Sequence, residues 1–440
     1  MSASFLDLPQ TETFCLRNAT LPTVCVPAFS GPAREGLVRA DVVISDGRIA
    51  VVAAPGAASP EVEAVDLKGA QVWPAFTDMH THLDKGHIWN RRPNRDGSFD
   101  GAIEAVRADR DLNWSADDVR ARMDFSLRCA YAHGTKLIRT HLDSLGPQHA
   151  ISWPLFSEMR ETWKGRIDLQ AVALFPLEAM VDEAYFRDLV AHVVEHGGVL
   201  GGLTKMGPTL QAELDLLFRT ASEHGLDIDL HVDETADAEA RTLIAIAEAA
   251  QRNAYEGQVV AGHCCSLAMQ DHDTAARTID KVAQAGVAVV SLPMCNMYLQ
   301  DRNGGTPIWR GVTLFKELAA AGVATAVSSD NTRDPFYAYG DLDAAEVFRE
   351  AVRILHLDHP LGDAARILTV TPSQILRRPD VGVIAQGGPA DLVIFRARSW
   401  SELLSRPQAD RIVLRDGRAI DRTLPEYSEL DHLLLEPCHA

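Results

Sequence analysis

Short stretches at both ends of the chain alternate hydrophobic and polar positions, a pattern that is typical of β-strands. The stretches are Phe14 to Ala19, Val38 to Ile49, Ile49 to Ala53, Asp391 to Phe395 and Arg411 to Leu414. Asp46-Gly47 and Asp416-Gly417 are turn signals of the hairpin kind. We therefore predict one small β-sandwich domain built from both termini, residues 1–70 and 379–440.

The centre of the chain alternates short apolar, β-branched runs with longer stretches of helical periodicity. The eight runs are Val72 to Thr77, Lys136 to Thr140, Asp168 to Phe175, Val199 to Lys205, Ile228 to His231, Val259 to His263, Val287 to Pro293 and Ala324 to Ser329. Helices are predicted between them, for example over Ala238 to Gln251 and Thr313 to Ala321. Eight strand and helix units in about 300 residues predict an α/β fold, a (β/α)₈ barrel of the TIM type over residues 71–378.

A doubly wound open sheet is the competing architecture, because it has the same alternation of strands and helices. Such a sheet usually carries a glycine-rich phosphate-binding turn after its first strand. The sequence has no turn of this kind, which favours the barrel.

Polar residues follow the apolar runs, at the strand ends where a barrel places its active site. They are Asp78 to His82, His141 to Asp143, Lys205, His231 to Glu234, His263, and Ser329 to Asn331. His80 and His82 are two residues apart, so on a continuing strand both side chains project from one face and can reach one metal ion. The later histidines and Asp330 complete a candidate metal site. Such donors suit Zn²⁺ or Fe²⁺, whereas Mg²⁺ and Ca²⁺ prefer oxygen ligands.

Two residues near this candidate site have alternative interpretations. Glu234 lies three residues beyond His231, where it can move a proton without binding the metal, or can serve as a helix-start acid that complements the dipole. Lys205 allows another mechanism, because a carbamate on a strand-four lysine can bridge two metals. It can equally be a substrate contact or a salt-bridge partner.

Two pairs of residues have less specific patterns. His141 and Asp143 either orient His80 or His82, or form a buried polar pair. Cys264 and Cys265 are adjacent and lack the CxxC spacing of zinc sites, so we assign them to the core.

Composition and charge limit the possible partners. The chain has 42 Lys and Arg against 61 Asp and Glu, a formal net charge of −19 at pH 7, and therefore no surplus of cations for binding nucleic acid. No run approaches the ~20 apolar residues of a membrane span, and the first residues do not resemble a signal peptide, so we expect a cytoplasmic protein with no membrane partner. Seven scattered cysteines, at positions 15, 25, 129, 264, 265, 295 and 438, predict reduced thiols.

Together these residues resemble the amidohydrolase superfamily and, within it, the bacterial cytosine deaminase group, near the triazine-degrading N-isopropylammelide hydrolases. The resemblance covers most of the chain. It rests on Pro74 to Lys85, Arg139 to Asp143, His231 to Glu234, Gly262-His263, Pro293 to Gln300 and Ser329 to Phe336. HxH combined with HxxE and a late aspartate is highly specific for this group.

The resemblance implies a set of site residues and one cofactor, a single Fe²⁺ or Zn²⁺. The implied ligands are His80, His82, His231 and Asp330. Glu234 would be the proton shuttle and His263 would hold or polarise the attacking hydroxide, so we take Glu234, His263 and Asp330 as catalytic. Attack on the ring carbon that bears the amino group would then expel ammonia.

Two departures from the cytosine deaminase pattern concern the substrate. Leu177 follows Phe175-Pro176 where these enzymes have a glutamine, and Asn331 stands where they tend to have a second aspartate. An apolar residue cannot pair with a polar ring edge, so we expect cytosine to be a poor substrate. The predicted substrate contacts are Leu177, Asn331, Phe336 and Lys85.

We therefore predict a metal-dependent hydrolase that releases ammonia or a small amine from an amino-substituted N-heterocycle, and we expect it to form a homo-oligomer. The main rival is a binuclear cyclic amide hydrolase of the dihydroorotase or hydantoinase kind, with a carbamylated Lys205. A non-catalytic, metal-bound scaffold is a rival of another class. The scaffold is disfavoured because Glu234, His263 and Asp330 are all present.

Overall fold

The computed structural model describes residues 5–434 and has an α/β fold. Cys438 lies outside the described residues. The chain divides into two compact units. The first takes in Met1–Asp78, Cys129–Leu137 and Asp343–Leu424, as far as they are described, and the second takes in Met79–Arg128, Ile138–Leu342 and the described part of Pro425–Ala440.

The strands of the first unit come from both ends of the chain. They are β1 (Thr13–Pro22), β2 (Ala33–Arg34), β3 (Leu37–Ser45), β4 (Arg48–Ala53), β5 (Ala64–Asp66), β6 (Gln71–Pro74), β15 (Leu392–Phe395), β16 (Ile412–Arg415) and β17 (Arg418–Ala419). They form one nine-stranded sheet in which β6 joins the N-terminal strand β1 to the C-terminal strand β15. Alternate side chains such as Phe14, Leu16 and Leu392 bury an apolar core against it.

The remaining strands pair as two sheets. They are β7 (Phe76–Thr81), β8 (Thr135–Asp143), β9 (Asp168–Leu174), β10 (Leu200–Leu203), β11 (Ile228–Val232), β12 (Val259–His263), β13 (Ala288–Ser291) and β14 (Thr325–Val327). The three strands β7 to β9 form one sheet, and the five parallel strands β10 to β14 form the other.

Isolated parallel bridges connect the edges of these two sheets. Val172 pairs with Val199 and Pro176 pairs with Leu203, which brings the β9 edge to the β10 edge. At the other side, Thr81 pairs with Asp330, which lies three residues beyond β14. The ends of β7 and β14 are therefore adjacent.

Helices separate most of the strands. They are α1 (Phe99–Asn113), α2 (Ala116–His133), α3 (His149–Thr162), α4 (Glu183–Glu195), α5 (Leu210–His224), α6 (Thr242–Arg252), α7 (His272–Gln284), α8 (Pro293–Leu299), α9 (Phe315–Ala320), α10 (Ala344–Leu355), α11 (Val370–Ile375) and α12 (Trp400–Ser405). Among residues 5–434 no helix combines the length and hydropathy that crossing a bilayer requires.

The sequence prediction was wrong about the first run, Val72 to Thr77, which is divided between two strands. Residues 71–74 belong to β6 of the terminal sheet, and 76–81 form β7. The division falls at Pro74-Ala75, where Ala75 N–H donates to Asp391 O but Phe76 N–H donates to Gly134 O. The chain thus changes hydrogen-bond partners over two residues.

The predicted helix at Ala238 to Gln251 begins later than its periodicity indicated, because α6 starts at Thr242. Its first backbone N–H groups, those of Thr242 and Leu243, donate to the two carboxylate oxygens of Asp233 at 3.0 Å each. Asp233 follows β11 and therefore caps a helix nine residues further along the chain.

Candidate metal and catalytic centre

Three histidine side chains converge at the ends of β7 and β11. His80 lies on β7, His82 one residue beyond it, and His231 on β11. His231 Nε2 lies 3.2 Å from His80 Nε2 and 3.3 Å from His82 Nε2. All three side chains are buried, and burial lowers the pKa of each imidazole well below the usual histidine value. As neutral imidazoles these rings can each offer a nitrogen lone pair, and their Nε2 atoms lie close enough together to bind one ion.

Asp330 adds a carboxylate to this group. Its Oδ1 lies 3.2 Å from His82 Nε2 and 3.7 Å from His80 Nε2. The backbone N–H of Asp330 donates to His80 O at 2.9 Å, which fixes the residue beside β7. Neither carboxylate oxygen has a hydrogen-bond donor among the described residues, and burial raises the pKa of this carboxyl to about 7.

The donor set fits a divalent transition metal. A buried carboxylate without a donor is costly unless a cation supplies the opposite charge. Three neutral imidazole nitrogens and one carboxylate are the ligand types that zinc and ferrous iron accept. The side chains predicted as ligands, His80, His82, His231 and Asp330, are thus brought together.

Glu234 lies beside this group and is held by Asn296. Asn296 Nδ2 donates to Glu234 Oε1 at 3.0 Å, and Gln300 Nε2 donates to the Glu234 backbone carbonyl at 3.3 Å. The Glu234 side chain is 7% exposed. It precedes α6 by eight residues, so it does not serve as a helix-start acid.

His263 faces the same group from the end of β12. Its Nδ1 lies 3.0 Å from Asn296 Nδ2 and 3.3 Å from Glu234 Oε1, while its Nε2 is buried without a partner among the described residues. Burial opposes protonation, but the carboxylates of Glu234 and Asp330 outweigh it and raise the pKa of His263. His263 and Asp330 both have positive φ angles, of 69° and 66°. Such strained backbone is found at functional sites where the surrounding structure enforces it.

Gly262 explains how His80 reaches its position. A Cβ at residue 262 would lie 2.9 Å from His80 Cε1. Only glycine leaves room there for the imidazole to lie against β12. Gly262 therefore makes room for the His80 ring, while the next residue, His263, contributes its own imidazole to the site.

A second group of charged residues surrounds Lys85. Its Nζ lies 3.8 Å from Asp143 Oδ1 and 5.0 Å from the centre of the Phe336 ring. The backbone N–H of Asp143 donates to Asp84 Oδ2 at 2.7 Å. Burial opposes the charge on Lys85, but Asp143, Asp334 and other carboxylates outweigh it and raise its pKa. The structure therefore places Asp143 with Lys85 and not with His80 or His82.

His141 is a buried polar residue packed against the metal-site imidazoles. Its ring centre lies 3.9 Å from that of His80, and neither nitrogen has a hydrogen-bond partner among the described residues. His141 Nε2 is 3.8 Å from Asp229 Oδ1, and Asp229 accepts a 2.9 Å bond from Arg139. The Arg139–Asp229 pair was not predicted. The i, i+2 spacing of Arg139 with His141, and of Asp229 with His231, was the available signal.

The other predicted substrate contacts have well-defined surroundings. Asn331 Nδ2 donates to Asp334 Oδ2 at 2.6 Å, and the backbone N–H of Phe336 donates to Asp334 Oδ1 at 2.8 Å. Leu177 is fully buried in a short 3₁₀ helix and packs over Gly202, where an added Cβ would lie 2.5 Å from its Cδ2. Asp334, which binds both Asn331 and Phe336, was not predicted as a site residue, although these partners lie only three and two residues away in the sequence.

Lys205 and the cysteines play no visible part in this centre. Lys205 is exposed beyond β10, and no described contact joins it to the histidines, which leaves the binuclear alternative without support. Cys264 and Cys265 are buried free thiols, as predicted.

The chain is similar to known proteins in sequence and in fold. The model of the amidohydrolase family matches residues 63–146 and 159–420. A pterin deaminase from Rhizobium rhizogenes is 65% identical over 99% of this chain and 100% of its own length. An N-isopropylammelide isopropyl amidohydrolase from a Pseudomonas species is 26% identical over 81% of this chain and 87% of its own. The crystal structure of a 5-methylcytosine deaminase from Klebsiella pneumoniae, liganded with 5-fluorocytosine, has a TM-score of 0.81, 25% identity, and coverage of 94% of this chain and 98% of that chain.

The resemblance and the activity class predicted from the sequence are both confirmed. The protein is a hydrolytic deaminase of a heterocycle, and its family depends on a metal. The family match extends over both the HxH segment and Asp330. The chain therefore belongs to the amidohydrolase family.

Proposed function

We propose that the protein hydrolyses the exocyclic C–N bond of a pterin and releases ammonia. The observation that carries this proposal is the 65% identity to a pterin deaminase, over 99% of this chain. A pterin is a bicyclic aminopteridinone, so its amino-substituted ring belongs to the class predicted from the sequence. The reaction adds the elements of water, and the ring carbon becomes a carbonyl as the amine leaves.

The scaffold inferred for this chemistry is a closed (β/α)₈ barrel. The parallel bridges Val172–Val199, Pro176–Leu203 and Thr81–Asp330 support closure, because they connect both edges of the two sheets. The catalytic side chains then lie at the C-terminal ends of the strands. We also infer the terminal β-sandwich and the domain bounds 1–70, 71–378 and 379–440, which remain predictions, as do the homo-oligomer and the cytoplasmic location.

One divalent ion, Fe²⁺ or Zn²⁺, would be held by four side chains. They are His80, His82, His231 and Asp330. When bound, such an ion lowers the pKa of water and so supplies a nucleophile near neutral pH.

Glu234 would transfer protons during the reaction, and His263 would stabilise the charge that develops on oxygen. Glu234 Oε1 accepts a hydrogen bond from Asn296, whereas Glu234 Oε2 makes no hydrogen bond among the described residues. Oε2 is therefore the atom that takes a proton from water and returns it to the ring nitrogen beside the reacting carbon. His263 Nε2 is buried and has no hydrogen-bond partner among the described residues, so it is available to stabilise charge that develops on oxygen.

Lys85, Asn331, Phe336 and Leu177 would contact the substrate. Lys85 Nζ makes no contact shorter than 3.8 Å to its partner Asp143, so its N–H groups remain able to donate to a ring carbonyl. Asn331 gives one N–H to Asp334 and keeps its carbonyl oxygen for a ring donor. Leu177 and Phe336 supply apolar surface for the flat ring.

The test is ammonia release from a panel of amino-heterocycles by the metal-loaded protein. Pterin should be turned over with a kcat/KM of ~10⁴ M⁻¹s⁻¹ or more, and cytosine and amino-triazines at least ~10-fold less efficiently. Glu234→Gln, assayed in parallel, should lose most turnover on every compound, by about 10² to 10⁴. A triazine or cytosine that exceeds pterin would contradict the proposed substrate.

A further inference from the structure

A second cluster of metal-binding side chains lies outside the catalytic centre, between α3 and α4. It consists of His149 at the start of α3 and of Asp188 and His192 on α4. One ligand atom from each of the three lies within 4.8 Å of the others. Asp188 and His192 are four residues apart on one helix, so they occupy the same face.

The hydrogen bonds of His149 orient it as a metal ligand. Its Nδ1 contacts the Gly146 carbonyl oxygen, which can only accept, so Nδ1 carries the proton. In the neutral imidazole Nε2 is then a lone-pair nitrogen, and it faces Asp188 Oδ2 at 2.7 Å. Two acceptors at this distance require a cation or a second proton between them. Metal-bound histidines commonly donate their other N–H to a backbone carbonyl in this way.

His192 supplies a further nitrogen to the same place. Its Nδ1 is buried and has no hydrogen-bond partner among the described residues. The ring centres of His149 and His192 are 5.2 Å apart. The His192 ring thus lies beside an imidazole and a carboxylate, and it contains a buried nitrogen whose lack of a partner among the described residues is unfavourable.

We propose that His149, Asp188 and His192 form a second transition-metal site, with Zn²⁺ as its natural ion. Two imidazoles and one carboxylate match the ligand preferences of zinc, and water completes the tetrahedron because Asp188 is 62% exposed. A tetrahedral zinc separates its ligand atoms by roughly 3.4 Å, so His149 and Asp188 need to open by less than ~1 Å. The bound ion would cross-link α3 to α4.

His192 also belongs to a neighbouring triad, with Glu195 and His196. His196 Nδ1 is already paired with Ser157 Oγ at 2.8 Å, and its ring stacks on Trp153. His149 is buried and fixed by Gly146, whereas Glu195 is exposed. His192 is therefore better placed to bind an ion together with His149 and Asp188 than together with Glu195 and His196.

The test counts zinc in untagged protein equilibrated with Zn²⁺ and then gel-filtered, using elemental analysis. The parent should retain one more zinc per chain than His192→Ala and Asp188→Asn, and deamination activity should be unchanged in both variants. Asp188→Asn is the safer variant for folding, because that side chain is exposed. His224→Ala, which removes an exposed histidine at the end of α5, should match the parent.

A second measurement reports on the cross-link itself. Added Zn²⁺ should raise the thermal midpoint of the parent more than that of Asp188→Asn. Equal zinc content in the parent and both variants would overturn the proposal, as would an equal loss in His224→Ala. Loss of activity on all pterins would overturn only the proposed function, since zinc is counted independently.

Discussion

Asn296 donates its side-chain amide to Glu234 Oε1 at 3.0 Å, from a helix that follows a different strand. A carboxylate can only accept, so the amide nitrogen and not the oxygen must face Glu234. The same nitrogen is 3.0 Å from His263 Nδ1. One amide therefore sets the position of both groups that we propose to handle protons.

Asn296→Ala should lower kcat by roughly 10- to 100-fold while the metal stays bound. The variant leaves Glu234 in place but releases its Oε1, and a positioned acid–base group contributes roughly 10² to 10⁴ in rate. Steady-state kinetics and metal content should be measured together. Gln300→Ala is the matched control, because the Gln300 side chain donates to the Glu234 backbone carbonyl and not to its carboxylate, and its effect should be smaller.

Glu234→Gln and His231→Ala should differ in what they lose. Glu234→Gln should keep the fold and the metal but lose most turnover, by about 10² to 10⁴. His231→Ala should lose metal as well, since its nitrogen faces both His80 and His82. Equal metal loss in the two variants would show that Glu234 is a ligand.

The patterns that predicted this centre were local ones. The i, i+2 spacing of His80 and His82 on a strand, and the apolar runs before His231 and His263, needed no knowledge of the fold. The structure joins these residues because the carboxyl ends of neighbouring parallel strands are adjacent. Their convergence was predictable from position alone.

The contacts that were missed depend on residues distant in sequence. The sequence left open whether Asp143 orients His80 or His82 or forms a buried polar pair with His141, and neither interpretation identified Lys85 as its neighbour. Asn296 and Glu234 are 62 residues apart, and no local spacing connects them. The late start of α6 was also not predicted, because the first N–H groups of this helix donate to Asp233, which follows β11 and lies outside the helical periodicity.

Removing the metal should abolish activity and lower the stability of the protein. A chelator would leave the Asp330 carboxylate buried without a partner, whereas an ion present at 1,000 times its Kd adds about 4 kcal/mol to the free energy of unfolding. Elemental analysis should give one ion in the catalytic centre, and thermal unfolding should show that removing the ion lowers the stability. The mass of the protein should show no carbamate on a lysine. Two ions in that centre together with a carbamate on Lys205 would contradict this prediction. The count should be made on Asp188→Asn protein, which lacks the second zinc site proposed at His149, Asp188 and His192.

The pair Arg411 and Asp343 should contribute to stability in acid. Arg411 Nη1 and Nη2 each lie 2.6 Å from an oxygen of Asp343. Burial opposes ionisation of Asp343, but Arg411 outweighs it and lowers its pKa to about 2. The stabilisation is therefore complete above the unfolded pKa near 3.9 and is lost as the pH falls from about 4 to 2, by about 2 kcal/mol.

Denaturant unfolding of Asp343→Asn checks this prediction. The variant should lose about 3 to 5 kcal/mol at neutral pH, because it leaves Arg411 buried without its carboxylate, and its stability should depend less on pH below 4. Asp280→Asn, an exposed change on α7, should behave like the parent. A parallel pH dependence in the parent and Asp343→Asn would contradict the role of this pair.

The final prediction concerns specificity at Leu177 and Asn331. Without a polar partner at residue 177, cytosine leaves a carbonyl or ring N–H unpaired, which costs about 1 to 3 kcal/mol and handicaps it by roughly 10- to 100-fold. Leu177→Gln combined with Asn331→Asp should therefore gain activity on cytosine. Asn331→Asp alone should gain less on cytosine than the pair, because it sets a carboxylate beside Asp334, whose Oδ2 now accepts a 2.6 Å bond from Asn331. Leu177→Met is the apolar control and should gain nothing, and a parent kcat/KM on cytosine of ~10⁴ M⁻¹s⁻¹ or more would contradict the inference.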